Sequence, residues 1–279
     1  MLTNICYDLH CHSTASDGVL SPCEVVERAA EKGVTTLALT DHDTVAGLSE
    51  AKQLATSLEM RFICGIELSA AWEKQSLHIV GLNINPLDEA LSNLIMHLQT
   101  IRQQRAEKIA EKLAKKGIDG VFEAVQLAAG NGMITRTHFA DFLVSRFYAN
   151  TQQDAFDRYL GEGKVAYVST IWTPLDVCVK TIKAAGGFAV IAHPLRYKLT
   201  ATRMKKLLMA FKQLGGDAIE VVTGRYNSDE IRVLATYAKQ FELAGSVGSD
   251  FHDPSNQWLE LGRLAPLPTT VKPIWELWN

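Results

Sequence analysis

Features that mark several protein classes are missing from this chain of 279 residues. No apolar run approaches the length of a membrane span, and the first residues lack the cationic and apolar regions of a signal peptide. The net charge is only −3, so the chain has no global basic field for nucleic acid. Recognition of phosphate would therefore depend on a local basic cluster or on bound cations.

Cysteine is sparse and unpatterned. The chain has five cysteines, and no two of them form a CxxC pair. An odd, scattered set is typical of reduced thiols rather than of a disulfide framework, so we expect a cytoplasmic protein. Hydrophobic residues make up 47% and charged residues 21%, which is ordinary for a soluble globular enzyme. This length favours one large α/β domain, or one domain with an insertion.

Strand-like and helix-like patterns alternate along most of the chain. Apolar runs that indicate strands lie at residues 5–9, 34–40, 61–66, 77–82, 188–192, 218–222 and 243–247. Helical patterns separate most of these runs, and the first begins with the capping signal Ser21-Pro22-Cys23-Glu24. Alternation of this kind favours a parallel sheet. Because polar residues follow most strands, we predict a closed or nearly closed barrel with its active site at the strands' C-terminal ends.

One long segment interrupts the alternation. Between residues 87 and 116 apolar side chains recur with a helical period, and shorter helical patterns follow near 121–129, 137–147 and 152–160. We therefore predict that residues 87–166 form an all-helical insertion in a barrel made by residues 1–86 and 167–279. The insertion follows the fourth strand, and we expect it at the mouth of the barrel, where it could serve as a lid.

Imidazole and carboxylate groups accumulate near the ends of the predicted strands. His10 and His12 flank Cys11, so both imidazoles should point to the same side of the first strand. The candidate metal ligands are His10, His12, Asp17, His42, Glu67, His78, His193, Asp250 and His252. Any one of them could be a satisfied core residue, but nine converging groups would be costly to bury unpaired. The set predicts a polymetal hydrolase site, most simply with three ions, and suits Mn²⁺, Fe or Zn²⁺.

The sequence runs that carry these ligands resemble the PHP (polymerase and histidinol phosphatase) family of phosphoesterases. The runs are Asp8-Leu9-His10-Cys11-His12-Ser13 with Asp17-Gly18, Leu39-Thr40-Asp41-His42-Asp43, Gly65-Ile66-Glu67, Leu77-His78-Ile79-Val80-Gly81, Ile191-Ala192-His193-Pro194 and Gly248-Ser249-Asp250-Phe251-His252. The resemblance covers essentially the whole chain. It implies a distorted (β/α)7 barrel, similar to a TIM barrel, with three divalent metal ions, commonly Mn²⁺.

The resemblance also implies how the ligands are shared among the ions. His10, His12, Glu67 and Asp250 would hold the first ion. Glu67, His78 and His193 would hold the second, with Glu67 as a bridge. Asp17, His42 and His252 would hold the third.

The insertion, with its Ile-Arg-x-x-Arg and Thr-Arg-Thr-His segments, resembles a branch that includes 3′,5′-nucleoside bisphosphate phosphatases and a 5′→3′ exoribonuclease. It implies hydrolysis of a phosphate monoester by a hydroxide shared between ions, most simply at the 3′-phosphate of a nucleoside 3′,5′-bisphosphate. One alternative is 5′→3′ cleavage of short 5′-phosphorylated RNA, with stacking on Tyr148, Tyr159 or Tyr167. Another is a small-molecule phosphatase such as histidinol phosphatase, which would not need the insertion. A third is a non-catalytic PHP module, which the full ligand set disfavours.

Basic and aromatic residues of the insertion are candidates for substrate binding. Arg102, Arg105 and Lys108 recur every three residues along the long predicted helix and could share a face. Further candidates are Arg136, His138, Lys164 and Tyr167. The plainer interpretation of these residues is a solvated basic surface, with helix capping in the turn at residues 134–138.

Three residues near the predicted ligands have candidate roles of their own. Arg196 lies three residues after His193 and is the best candidate for bidentate phosphate binding, while Arg225 is a weaker one. Asp43, next to His42, is a conceivable general acid for the leaving group. The expected partner is a small phosphorylated substrate, such as a nucleotide, or a short RNA. We expect neither a membrane nor an obligate protein partner.

Overall fold

A computed structural model describes residues 5–278 of the chain. The strands are β1 Tyr7–Asp8, β2 Thr36–Leu39, β3 Arg61–Trp72, β4 Gln75–Leu82, β5 Thr173–Pro174, β6 Phe188–Ile191, β7 Ala218–Thr223 and β8 Ala244–Gly248. The α-helices are α1 Pro22–Glu31, α2 Leu48–Ser57, α3 Glu89–Ala114, α4 Val121–Ala129, α5 Arg136–Ser145, α6 Gln152–Ala155, α7 Leu175–Ala184, α8 Ala201–Gln213 and α9 Ser228–Gln240. A π-helical turn, Phe156–Leu160, continues α6.

The strands form one mixed sheet that is nearly closed into a barrel. Its order is β1-β2-β3-β4-β6-β7-β8, and the short β5 pairs with β3 outside this path. The two ends of the sheet meet, because Leu9 N donates to Val247 O at 3.1 Å and Asp250 N donates to His10 O at 2.8 Å. Helices surround the sheet, so the predicted distorted, TIM-like barrel is confirmed.

The prediction of a fully parallel sheet is wrong for β4. This strand runs antiparallel to β3, from Gly65↔Leu82 to Trp72↔Gln75, and antiparallel to β6. The physical reason is the connection: only Glu73 and Lys74 join β3 to β4. A parallel crossover needs a dozen or more residues, whereas two residues suffice for a hairpin. The strand pattern of β3 also continues well beyond residue 66, where the sequence predicted its end.

The direction of β4 changes where the insertion begins. Leu82, the last residue of β4, pairs with Phe188, the first residue of β6. The chain therefore leaves β4 at the end of the barrel opposite the C-terminal ends of the parallel strands, so the insertion begins away from the mouth. The helix α3 is long enough to reach back to the mouth of the barrel, because its 26 residues span about 39 Å at 1.5 Å per residue.

The long helix α3 belongs to two hydrophobic cores. Its first half, including Leu91 and Leu98, packs into the main core with β3, β4 and α7. Its second half, including Ile109 and Leu113, packs into a separate core with α4, α5 and the π-helical turn. Among residues 87–166 the structure contains helices and turns but no strand. The division of the chain at residues 87 and 166 stays a prediction.

Local signals formed as the sequence indicated. Ser21 Oγ accepts from Glu24 N at 3.3 Å, and the Glu24 carboxylate accepts from Ser21 N at 2.7 Å, which completes the capping box of α1. Cys11 points away from the histidines, and its Sγ donates to Ala38 O at 3.3 Å. All five cysteines are free thiols. Over residues 5–278, no helix combines the length and the apolar character that a bilayer crossing requires.

Candidate metal centre

The nine predicted ligands lie together at the C-terminal end of the barrel, around the carboxylate of Glu67. Glu67 Oε1 is 3.0 Å from His78 Nδ1, 3.1 Å from His193 Nε2 and 3.4 Å from His10 Nε2. Its other oxygen, Oε2, is 2.8 Å from His42 Nδ1 and 3.4 Å from His12 Nε2. One buried carboxylate thus faces five imidazoles. We call the nine side chains the ligand cluster.

Two further carboxylates complete the ligand cluster. Asp250 Oδ1 lies 3.4 Å from His12 Nε2 and 3.5 Å from His10 Nε2. Asp17 Oδ1 lies 3.4 Å from His252 Nε2 and 3.7 Å from His42 Nε2. Within the cluster, three sets of residues have ligand atoms that all lie within 4.8 Å of one another. The sets are His12 with Asp17, His42 and His252; His10 with His12 and Glu67; and His42 with Glu67 and His78.

The polar atoms of the ligand cluster fit bound cations. Within residues 5–278, Asp17 Oδ1 and His193 Nδ1 are buried without a hydrogen-bond partner. Three further buried atoms, His42 Nδ1, Glu67 Oε2 and Asp250 Oδ2, have a close polar neighbour but no hydrogen bond of good geometry. Unsatisfied buried acceptors are costly, and native structures contain few of them. Divalent ions would coordinate these lone pairs, and a mixed imidazole and carboxylate set suits Mn²⁺, Fe or Zn²⁺.

The three carboxylates remain ionised in this environment. Burial raises the pKa of Glu67, but the neighbouring His78, His42 and His10 outweigh it and hold the pKa well below its usual value. The pKa values of Asp17 and Asp250 are also held well below the usual range, because nearby cationic groups again outweigh burial. Each carboxylate can therefore bind a cation without first losing a proton.

Buried acids behind the ligand cluster orient it, and the sequence analysis missed their roles. Glu220 Oε1 is 2.6 Å from His10 Nδ1, and Glu220 Oε2 accepts from His193 N at 2.5 Å. The contact with His10 Nδ1 leaves His10 Nε2 facing the cluster. At metal sites, a carboxylate behind a ligating histidine orients the imidazole in this way. Asp8 accepts from the backbone of Ser249 at 2.8 Å and so connects the β1 end to the β8 end.

Asp41, which follows β2, has a similar orienting role for the loop after β1. Its carboxylate accepts from Ser13 N at 2.7 Å and from Ser16 Oγ at 2.6 Å, between the ligands His12 and Asp17. Burial raises the pKa of Asp41 to about 6, although its hydrogen bonds with the serines oppose the rise. The available signal was its place beside His42 at a strand end, but sequence alone does not identify its partners.

A pocket of about 320 Å³ opens between the ligand cluster and the insertion. Its lining includes Asp17, His42 and His78 of the ligand cluster together with three arginines: Arg102, Arg105 and Arg136. We call these three residues the arginine wall. The volume lies at the lower end of the roughly 300–1,000 Å³ typical of small-molecule sites. The other lining residues are Ser69, Lys74, Gln75, Ser76, Thr135, Thr137, Phe156, Glu162, Tyr167, Val168, Thr170 and Trp172.

The arginine wall concentrates positive charge that its protein neighbours only partly balance. The guanidinium groups of Arg102 and Arg105 lie 5.4 Å and 5.3 Å from the ring centre of Trp172, and that of Arg136 lies 5.5 Å from the ring centre of Phe156. Arg105 Nε is buried without an acceptor in the described part of the chain. Burial, followed by the charges of Arg136 and Arg102, lowers the pKa of Arg105 well below its usual value. Such a site favours an anion.

Asp43 is not placed as a general acid. Its carboxylate accepts from Ser69 N at 2.7 Å, from Ser69 Oγ at 2.8 Å and from Arg102 Nε at 2.6 Å. Both oxygens are occupied by donors, and the side chain is fully buried. These contacts leave neither oxygen free to reach a leaving group, so they do not support the predicted role. Asp43 instead positions Arg102, whose Nη2 also donates to Ser69 Oγ at 2.9 Å.

The remaining substrate candidates divide into two groups. Tyr167 lines the pocket, whereas Lys108 and Lys164 are exposed and lie outside its lining. His138 also lies outside the lining, and its Nδ1 accepts from Thr135 N at 3.1 Å as part of the N-terminal cap of α5. His138 thus takes part in helix capping, and its role in substrate binding stays a prediction. Of the three tyrosines considered for stacking, only Tyr167 reaches the pocket.

The insertion and the loop after β6 both contact candidate ligands. The hydroxyl groups of Thr135 and Thr137 donate to Asp17 Oδ2, each at 2.8 Å. Arg196 Nη1 lies 2.5 Å from Asp250 Oδ2, beside the cluster but outside the pocket lining. Asp43, His193 and Asp250 have positive φ angles of 51°, 29° and 56°. Backbone strain of this kind is concentrated at functional sites.

Comparison with protein families and characterised proteins agrees with this geometry. The family model described as PHP domain matches residues 8–213. A 5′-3′ exoribonuclease from Haemophilus influenzae is 46% identical over 270 residues, which cover 97% of this chain and 98% of that protein. A 3′,5′-nucleoside bisphosphate phosphatase from Chromobacterium violaceum is 40% identical over 269 residues, which cover 96% of this chain and 94% of that protein.

Two solved structures have the same fold. An amidohydrolase from Chromobacterium violaceum, with bound sulfate and no metal, superposes with a TM-score of 0.93 at 39% identity and covers 97% of this chain and 95% of that chain. A protein from Bifidobacterium adolescentis, classed as a metal-dependent phosphoesterase, superposes with a TM-score of 0.82 at 26% identity and covers 98% of this chain and 94% of that chain.

Proposed function

The chain belongs to the PHP domain family and is a metal-dependent phosphoesterase. We propose that it hydrolyses the bond between phosphorus and the 3′-oxygen of a nucleotide that also carries a 5′-phosphate. The smallest substrate with this chemistry is a nucleoside 3′,5′-bisphosphate. The 3′-phosphate would lie on the ligand cluster, and the 5′-phosphate would lie on the arginine wall.

One observation carries this proposal: the same pocket is lined by members of the ligand cluster and by the arginine wall. A simple phosphate monoester needs only the metals. Three converging arginines, one of them with a buried unpaired Nε, are explained by a second anionic group on the substrate. An arginine fork binds phosphate oxygens bidentately, so it would also fix the distance between the two phosphates of a preferred substrate.

The proposal includes three divalent ions, with Mn²⁺ as the first candidate. The three compact sets of ligand atoms support this number, since they overlap with the three groups that the family resemblance implies. Bound ions would supply an activated water and would neutralise charge on the phosphate. The chain's own residues hold the ligands in place, with Glu220 on His10 and the two threonines on Asp17.

Exonucleolytic cleavage of short 5′-phosphorylated RNA is the second candidate. The 46% identity to a 5′-3′ exoribonuclease supports it. The chemistry is the same, because the leaving group is again the 3′-oxygen of the nucleotide in the pocket. The only difference is the next nucleotide, which is esterified to phosphorus. The shortened RNA retains a 5′-phosphate and is itself a substrate.

A histidinol phosphatase is a weaker interpretation. Histidinol phosphate carries a single phosphate and an ammonium group, and the arginine wall would repel that cation. The non-catalytic alternative is set aside, because the relatives that cover nearly the whole chain are hydrolases.

The decisive experiment measures phosphate release by Mn²⁺-loaded protein from adenosine 3′,5′-bisphosphate, 3′-AMP, 5′-AMP and histidinol phosphate. Release of mononucleotides is measured beside it for a 5′-phosphorylated RNA pentamer, whose cleavage sets no phosphate free. We expect a clear preference for the bisphosphate over 3′-AMP, lost on chelation and in His193→Ala. Equal kcat/KM values for the bisphosphate and 3′-AMP would contradict the assignment of the arginine wall to the 5′-phosphate.

A further inference from the structure

The loops after β6, β7 and β8 form a surface beside the ligand cluster and outside the pocket lining. These loops contain the ligands His193, Asp250 and His252, whereas the pocket lining comes from the loops after β1 and β2, the β3–β4 hairpin, the insertion and the segment before β5. We call residues 194–198, 224–226 and 253–259 the β6–β8 rim. The cluster is open on this side, since the His252 and Arg196 side chains are 28% and 38% exposed.

Direct contacts join the three loops into one surface. Leu195 N donates to the Tyr226 hydroxyl at 3.0 Å, which connects the loop after β6 to the loop after β7. Gly224 packs so closely that a Cβ atom there would lie 2.7 Å from Leu259 Cδ2 and 2.9 Å from Ser249 O. Arg196 and Arg225 are neighbours of Leu195 and Gly224. Their backbones are therefore held beside the ligand cluster.

The β6–β8 rim carries one arginine that is paired and one that is not. Arg196 Nη1 lies 2.5 Å from Asp250 Oδ2. The Arg225 side chain forms no hydrogen bond and no ion pair with any residue in the range 5–278, and only its backbone N–H does, to Thr223 Oγ1. Burial and then the charge of Arg196 lower the pKa of Arg225, as expected for a cation without a counter-ion. An unpaired arginine near a phosphoesterase centre is available to a phosphate.

The same rim carries an exposed tryptophan on an ordered loop. Trp258 is 86% exposed, and it precedes Leu259, which packs against Gly224. Its loop is fixed by hydrogen bonds, from Ser255 N to Asp253 Oδ1 at 2.7 Å and from Arg263 Nη2 to Gln257 O at 2.7 Å. A single exposed tryptophan means little by itself. Close to an unpaired arginine and a phosphoesterase centre, it has the combination that binds single-stranded nucleic acid: a cation for the backbone and a ring for a base.

We propose that the β6–β8 rim binds the nucleotides that follow the scissile phosphate in a single-stranded RNA, with Arg225 on the next phosphodiester and Trp258 stacked on a base. This inference rests on the proposed function, because it places the 5′-terminal nucleotide in the pocket. Water contributes OH to phosphorus and H to the departing 3′-oxygen. The phosphate stays on the 5′-oxygen of the shortened RNA. A bisphosphate has nothing beyond the scissile phosphate, so it leaves the rim empty.

The test compares two substrates in four variants. The substrates are a 5′-phosphorylated RNA pentamer and adenosine 3′,5′-bisphosphate, both with Mn²⁺-loaded protein. Arg225→Gln and Trp258→Ala are expected to lower kcat/KM for the pentamer by roughly tenfold each, a loss within the range measured for one stacked base. Both should leave the bisphosphate unchanged. The controls are Arg232→Gln, an exposed arginine paired with Asp229 on α9, and Phe147→Ala, a 95% exposed aromatic residue of the insertion.

Two further readouts distinguish rim binding from a structural effect. Removing one phosphate contact should reduce the slope of log kcat/KM against log salt by about 0.7 for the pentamer in Arg225→Gln. In protein inactivated by His193→Ala, the pentamer should quench tryptophan fluorescence, and Trp258→Phe should remove most of that quenching. This second readout does not depend on turnover.

The outcomes separate the two proposals. Equal losses on both substrates, no loss on the pentamer, or quenching that survives Trp258→Phe would each overturn the rim assignment. Hydrolysis of the bisphosphate with no cleavage of RNA would also overturn it and would leave the proposed function intact. Failure on the bisphosphate and the RNA alike would refute the proposed function itself.

Discussion

Asp17 and Asp43 are both buried carboxylates beside the pocket, and their neighbours give them different chemistry. Asp17 accepts two threonine hydroxyls on one oxygen and keeps the other, Oδ1, free to face His42 and His252. Asp43 has both oxygens occupied by Ser69 and Arg102. Sequence placed both near the site. The difference depends on partners 26 to 120 residues away, which a local motif does not reveal.

The role of Asp43 is testable by its removal. Asp43→Ala leaves the Arg102 guanidinium buried without its carboxylate, and breaking a buried pair costs about 3–5 kcal/mol. We expect lower stability in urea denaturation, together with a raised KM for adenosine 3′,5′-bisphosphate, because Arg102 loses its position. An exposed pair provides the control: Asp229→Ala, which frees Arg232, should change stability by less than about 1 kcal/mol. A variant with unchanged stability and only a lower kcat would restore Asp43 as a general acid.

The arginine wall makes a prediction about substrate preference. Arg136→Ala should raise KM for adenosine 3′,5′-bisphosphate by about 10- to 100-fold, since a hydrogen bond to a charged group contributes about 1.5–3 kcal/mol. KM for 3′-AMP, which has no 5′-phosphate, should change little. Arg146→Ala is the matched control, because Arg146 follows the same helix but lies against Phe142, away from the pocket. Equal increases for the two substrates would argue against a contact with the 5′-phosphate.

At the scale of elements, strand and helix positions were predictable where one local rule decided them. The capping box at Ser21 and Glu24 and the helical period of α3 are examples of such rules. The direction of β4 was not predictable in this way, because its run of alternating residues fits a parallel or an antiparallel neighbour equally well. The two-residue connection at Glu73 and Lys74 decides the direction, and it was hidden by an early end assigned to β3.

The insertion is connected to the ligand cluster through one close approach of backbones. A Cβ atom at Gly132 would lie 2.3 Å from Thr14 O, and the next residue, Met133, donates its N–H to Ala15 O at 2.9 Å. Three residues after Gly132 the same segment reaches Thr135, whose hydroxyl donates to Asp17. The position of α5, and with it Arg136, therefore depends on a glycine.

Gly132→Ala should move this segment away from the barrel. Overpacking of this kind typically costs about 1–3 kcal/mol. We expect a raised KM for the bisphosphate and weaker Mn²⁺ activation, because Arg136 and the threonines that hold Asp17 shift together. Gly117→Ala, at the far end of α3 with open space around it, serves as the control for a glycine substitution in the insertion. Its positive φ should lower stability slightly while both kinetic constants stay at the wild-type value.

At the scale of the whole molecule, the ligand cluster was predictable because its members recur in or just after most strands of the sequence, and a barrel brings those positions together. The acids behind them were not, because Glu220 contacts His10 across 210 residues and looks like any inward-facing strand residue. The barrel thus buries a group of carboxylates and imidazoles that oppose folding unless cations bind them. Stability and metal content should be linked.

Metal removal tests this linkage without reference to turnover. A ligand present at 100 times its Kd stabilises the native state by about 2.7 kcal/mol, which for a chain of this size corresponds to a rise in Tm of about 5 °C. We therefore expect Mn²⁺ to raise the Tm of chelator-treated protein in a thermal melt. Glu220→Gln should require about 10- to 100-fold more Mn²⁺ for the same rise, since an outer carboxylate orients the ligand His10. The exposed Glu276→Gln is the control and should follow the wild-type curve. A Tm that is indifferent to Mn²⁺ would mean that the buried lone pairs of the cluster are satisfied without cations, and the metal assignment would fail with it.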